Sequence, residues 1–201
     1  LAIGETLTLN FDITFYIGAL GKSGDDGFRF GIYDSNSDRV TADNTNANGS
    51  AAGFNDDRGY SVWANLNESG NLELFEKTSD NNLNVSSSAN TQRATGTNTN
   101  MGTGGLLSTA GSFSIERTAS GLNISSSIGG GSVSYSHLSP GTTEFDTIYF
   151  FGAGTQFTEN SNDDDGSFTL DNVSVSVIPE PSTFILVGLA LLGLVAFGHR
   201  K

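Results

Sequence analysis

The sequence predicts an all-β domain, a jelly-roll sandwich of two antiparallel sheets, followed by a single C-terminal transmembrane helix. Three observations lead there. Between residues 1 and 178 the apolar residues recur with a period of two, and no stretch keeps the period of a helix. Gly, Ser, Thr, Asn and Asp are abundant, and these residues favour turns and loops over helix interiors. Residues 182–198 contain no charged side chain, and Phe184–Phe197 is almost purely apolar. Several short strands separated by turn signals imply a sandwich or a barrel. The preferred arrangement places the first and last strands side by side, with an immunoglobulin-like sandwich as the alternative.

The strands follow in order. In Glu5–Ile17 the positions Leu7, Leu9, Phe11, Ile13, Phe15 and Ile17 alternate with Thr8, Asn10, Asp12, Thr14 and Tyr16. Successive strand side chains point to opposite faces, so one face of this strand meets the core. Gly21–Gly27 is a turn, after which Phe28, Phe30 and Ile32 alternate with Arg29, Gly31 and Tyr33. A long polar segment, Asp34–Phe54, precedes a strand over Tyr60–Leu66, and Glu68-Ser69-Gly70-Asn71 reads as a hairpin turn into Leu72–Phe75. Ser79–Gly111 is polar and is expected to be a long loop with one weak strand near Leu83–Val85. A loop of that length is uncommon in a compact domain and points either to short strands that the sequence hides or to mobility. Phe113–Arg117, Leu122–Ile128, Val133–His137 and Thr147–Gly152 are the next strands, punctuated by Gly121 and Gly129-Gly130-Gly131. In the last, Ser167–Val177, the apolar residues change parity between Leu170 and Val173. One extra residue near Asp171-Asn172 restores a single buried face, which predicts a β-bulge.

Charge and composition exclude several functions. The chain has 201 residues, with 22 acidic and nine basic side chains. Two of the basic residues close the chain, which leaves residues 1–198 with a net charge of −15. A nucleic-acid binder needs the opposite sign, so no nucleic-acid partner is expected. There is no cysteine, which removes disulfides, thiolate catalysis and cysteine-ligated metals. No basic region followed by an apolar run opens the sequence, so an N-terminus already processed, or a piece of a longer precursor, is expected.

The clearest signal is the tail. Pro179-Glu180-Pro181 holds an extended backbone, because each proline fixes its own φ and restricts the residue before it. The anchor follows in two halves, Phe184, Ile185, Leu186, Val187 and Leu189, then Leu191, Leu192, Leu194, Val195 and Phe197. At ~1.5 Å per residue, residues 182–198 reach about 25 Å as a helix, within the workable range for a bilayer. His199, Arg200 and Lys201 add positive charge, which favours the cytoplasmic side and leaves the β-domain outside. The expected division is therefore residues 1–178, an extracytoplasmic sandwich, and residues 179–201, the anchor segment.

This three-part tail resembles the PEP-CTERM sorting signal of Gram-negative bacteria. The resemblance implies an exosortase as partner, processing near Pro179-Glu180-Pro181, and delivery to the cell surface or an exopolysaccharide matrix. Phe168–Val175 is similar to the final strand of many PEP-CTERM ectodomains, and Asp25–Asp34 resembles a strand pair of concanavalin-like members. The concanavalin-like fold includes lectins and β-glucanases, so the resemblance raises both sugar binding and glycan hydrolysis.

A retaining glycosidase needs two carboxylates about 5 Å apart. The β-glucanase pattern Glu-x-Asp-x-x-Glu is met at Glu144 and Asp146, but Tyr149 stands where the second catalytic Glu belongs. A phenol is a poor acid in that role. A serine hydrolase needs a histidine, and only His137, expected at a surface or strand end, precedes the tail. The chain is therefore expected not to be an enzyme and to need no cofactor. If a metal is bound, calcium is the expected ion, with Asp163 and Asp165 as its first candidate ligands. Trp63, Tyr60 and Tyr33 are the candidate platform for sugar, on the expectation that their parity turns them away from the core. The functional expectation is an exported structural or adhesive surface protein, with a carbohydrate-binding module as the alternative and a glycan hydrolase behind it.

Overall fold

The structure, a computed structural model, describes residues 1–17, 27–37, 54–65, 70–80, 89–99, 105–153 and 167–179. Period-two alternation becomes ten strands: β1 (Glu5–Ile17), β2 (Gly27–Asp34), β3 (Arg58–Asn65), β4 (Asn71–Lys77), β5 (Asn90–Asn98), β6 (Gly105–Thr118), β7 (Gly121–Ile128), β8 (Gly131–His137), β9 (Thr147–Ala153) and β10 (Ser167–Pro179). They form two five-stranded sheets in the orders β10-β1-β6-β7-β8 and β5-β4-β3-β2-β9. Every pairing is antiparallel. The first and last strands are neighbours, as the sequence suggested. No α-helix occurs among the described residues.

The alternating set of β1 makes the core. Leu7, Leu9, Phe11, Ile13 and Phe15 are buried, and they face Phe28, Phe30, Ile32, Val62, Leu72 and Leu74 of the other sheet. The Phe11 ring sits edge-on to Phe30 at 5.0 Å and to Phe150 at 5.1 Å, an arrangement that aromatic quadrupoles favour. Gly111, opposite Phe11 on β6, leaves room for that ring, and a Cβ there would overlap it. Along one flank the sandwich is drawn together by β5 and β8, where the Ser132 amide donates to Thr97 Oγ1 at 2.9 Å.

The polar stretch read as a loop contains β5 and the first half of β6. Alternation could not show β5, because it is an edge strand whose residues are mostly exposed, with Ala94 its only contribution to the core. Its stability comes from the ladder with β4 and the contact with β8. The expected weak strand near Leu83–Val85 lies outside the described residues, as do most of the Gly21–Gly27 turn and residues 66–69 of the expected hairpin turn.

The bulge in β10 is present. Asn10 pairs with Ser174 and Asp12 with Asp171, so Asn172 and Val173 together oppose Phe11. Asn172 takes φ +52°, a left-handed conformation that asparagine tolerates, and its Nδ2 donates to Asp12 Oδ2 at 2.7 Å. The bulge puts Phe168, Leu170, Val173, Val175 and Val177 on one face. Only Phe168 and Leu170 are packed against the core, and the three valines remain 46, 46 and 49 % exposed. The expected single face exists, but its cover ends at the bulge.

Candidate functional site: the C-terminal strand and its surroundings

The last strand delivers the tail. β10 is an edge strand, and its final rungs pair Val177 with Leu7, Ile178 with Thr6 and Pro179 with Glu5. Proline is tolerated there because an edge position does not require its missing N–H. Pro179, the first residue of the sorting candidate, is thus the final rung of the folded ladder. No helix among the described residues is long and apolar enough to cross a membrane. The expected anchor, Phe184–Phe197, with Glu180, Pro181, Arg200 and Lys201, lies outside the described residues.

The three aromatic residues singled out as a sugar platform do not share an exposed surface. Tyr60 has the parity of Val62 and Ala64, so it points into the core and is fully buried. Its hydroxyl meets His137 Nδ1 at 2.7 Å. Tyr33 is on the outer face of its sheet but is also fully buried. Trp63 alone is partly exposed, and its ring carries the Arg29 guanidinium at 3.8 Å and is stacked on Phe75 at 3.9 Å. Those contacts use the ring surface on which a sugar would stack.

Sequence reasoning missed a buried polar cluster at the end of β8. His137 is at a strand end, as expected, but it is buried rather than at the surface. The Glu76 carboxylate is 3.7 Å from its Nδ1, and Arg93 Nε donates to Glu76 Oε2 at 2.7 Å. Burial, followed by the nearby Glu76 charge, pushes the Tyr60 phenol far above its ordinary range. These residues come from β3, β4, β5 and β8, and four short polar signals on four strands cannot be joined without the fold.

The 54–57 segment meets the chain's own cations through its backbone carbonyls, with the Asp57 side chain buried beside them and the Asp56 carboxylate accepting from Asn36 Nδ2 at 2.7 Å. Lys77 Nζ donates to the carbonyls of Phe54, Asn55 and Asp57, with the latter two at 3.1 and 3.2 Å. Burial pulls its pKa down to about 8, against the opposing charge of Asp57. Arg58 donates to the Asp56 and Asp57 carbonyls and pairs with Asp80, whose carboxyl is held below its ordinary value by that bond. Among the described residues no group of three or more His, Asp and Glu side chains could hold a metal ion. The calcium candidates Asp163 and Asp165 lie outside the described residues.

The glycosidase-like pair is split in use. Both are exposed, but only Asp146 is engaged with β2, accepting from the Ser35 amide at 2.9 Å and from the Ser35 hydroxyl at 2.8 Å. Asp146 thereby ties the end of β2 to the start of β9. Tyr149 is on the outer face of β9, and burial raises its phenol well above the ordinary range.

Comparison with known proteins adds one match. The PEP-CTERM protein-sorting motif is found over residues 177–201. It begins inside β10, two residues before Pro179. No curated protein and no solved structure matches the chain.

Proposed function

We propose that this chain is a non-catalytic structural or adhesive protein of the bacterial cell surface. It is exported with its sandwich outside, held by a single membrane-spanning tail, and handed to an exosortase that processes it near Pro179-Glu180-Pro181. The observation that carries the reading is the sorting motif over residues 177–201, set directly on the last strand of the fold. That motif supports export through a C-terminal sorting signal, with anchoring in the membrane before processing.

The absence of chemistry is part of the proposal. Tyr149 supports it: it stands where the second catalytic carboxylate belongs and its buried phenol is held well above the ordinary range, so Glu144 has no carboxylate partner at that position. The jelly-roll reading is supported by a chain that crosses between the sheets at β1–β2, β5–β6, β8–β9 and β9–β10 and returns beside its first strand.

The test is fractionation of cells that carry the exosortase. Wild-type chain is expected in the envelope in processed form. A Pro179→Ala/Pro181→Ala variant is expected to accumulate uncut in the membrane fraction. Identical distribution of the two chains, both water-soluble and uncut, contradicts the proposal.

A further inference from the structure

The outer face of the sheet β10-β1-β6-β7-β8 carries a lattice of neutral hydroxyls. The antiparallel register aligns Ser176, Thr8, Ser114, Ser125 and Ser134 in one row across all five strands. The next row, two residues along, is Ser174, Asn10, Ser112, Ser127 and Ser132. Nine hydroxyls and one amide thus cover an area about 19 Å across, with rows about 7 Å apart by ordinary strand spacing. Elsewhere this chain solvates itself with carboxylates, to a net charge of −15 before its last three residues. These ten adjoining positions contain no charge.

The two faces of the sandwich also differ in access. On the outer face of the other sheet Tyr33 is fully buried and Phe75 is 6 % exposed. On the hydroxyl face Ser125, Ser127, Ser132 and Ser134 are open to solvent. A shallow groove follows each row, one along Ser114, Ser125 and Ser134 with Glu116, held by Asn123 Nδ2 at 2.8 Å, at its border, the other along Ser112, Ser127 and Ser132.

The hydroxyls are partly fixed in advance. Thr8 and Ser114 hydrogen-bond at 3.2 Å, and Ser112 and Ser127 at 2.9 Å. A hydroxyl has one donor and two acceptor sites, so each bonded pair still offers one O–H and three lone pairs. Such a surface matches a partner that is itself both donor and acceptor, uncharged and repetitive.

We infer that this face binds a neutral, polyhydroxylated polysaccharide, laid across the strands along the two serine rows. The inference gives the adhesive part of the proposed function a site, and rests on that reading only for where the ligand is met. Each neutral hydrogen bond contributes about 1 kcal/mol net, so a single sugar binds weakly and the polymer binds by repetition.

Full-length protein in a sugar-free zwitterionic detergent tests this without reference to the tail's fate. The probes are dextran in native affinity gels and insoluble β-glucan in pull-downs, with polygalacturonate as the anionic control. Retention on at least one neutral polymer is expected, little on the control, and a loss of at least fivefold for Ser125→Glu, while Ser125→Thr is retained. Ser134→Glu, on the exposed edge strand β8, reads the same effect if Ser125→Glu melts early. No retention on either neutral polymer overturns the inference. So does equal retention on polygalacturonate, unchanged binding by both Glu variants, or a dimer that the Glu variants dissociate, which would make the face a contact between copies.

Discussion

At Lys77 a single side chain substitutes for a bound cation. Its ammonium gathers three loop carbonyls beside Asp57, at the cost of burying a charge. Its folded pKa, about 8, is below the unfolded value of 10.5, so between these limits the unfolded chain holds the extra proton. Stability therefore rises with pH through that window, by at most ~1.4 kcal/mol per unit. Tyr33, Tyr60 and Tyr149 act in the opposite sense: their folded pKa values are raised above 10.0, so their contribution is lost as the unfolded phenols ionise. Urea unfolding from pH 7.5 to 11 is expected to show stability climbing from about pH 8, peaking near 10 and then falling. Lys77→Met should remove the climb and leave the fall. Tyr60→Phe deprives buried His137 of its hydroxyl partner and is expected to cost ~1–3 kcal/mol in the same assay at neutral pH. Neither partnership is legible in the sequence. Lys77 and Tyr60 each look like ordinary strand residues until the fold brings the 54–57 segment and the end of β8 to them.

At the scale of the element, β10 shows how much a pattern can reveal. The parity break between Leu170 and Val173 located the bulge within a residue, because a strand with one buried face tolerates no other explanation. Asn172→Gly should leave stability nearly unchanged, while Asn172→Val should cost ~1–2 kcal/mol, since a β-branched residue resists φ +52°. Thermal melts of the two variants side by side check this. The same pattern could not show that the valines beyond the bulge lack cover, because exposure depends on which strand of the facing sheet lies opposite. β5 was illegible for a related reason: an edge strand needs a ladder partner more than an apolar face. Tyr60 is on the core face because it shares the parity of Val62 and Ala64, and its polar hydroxyl there needs the His137 partner that only the fold supplies.

Across the whole molecule, a strongly alternating first strand fills the core between the sheets, and Phe11, seated over Gly111 of its own sheet, reaches Phe30 and Phe150 of the other. Gly111→Ala should destabilise by ~1–3 kcal/mol through overpacking, and Phe11→Ala by ~3–5 kcal/mol through the cavity it leaves, as read by denaturant unfolding. The all-β class and the sandwich were legible because they follow from period two and the number of short strands, and the β1–β10 neighbourhood came with the arrangement preferred for them. The hydroxyl lattice was not, since serines on four strands and threonine on a fifth become a surface only once register aligns them. What the molecule does with its surface depends on where the folded ladder ends and the tail begins, at Pro179. The most direct measurement is the intact mass of the mature chain recovered from the cell envelope. A C-terminus at or near Pro179 is predicted, whereas a freely soluble chain still ending at Lys201 would contradict the sorting account.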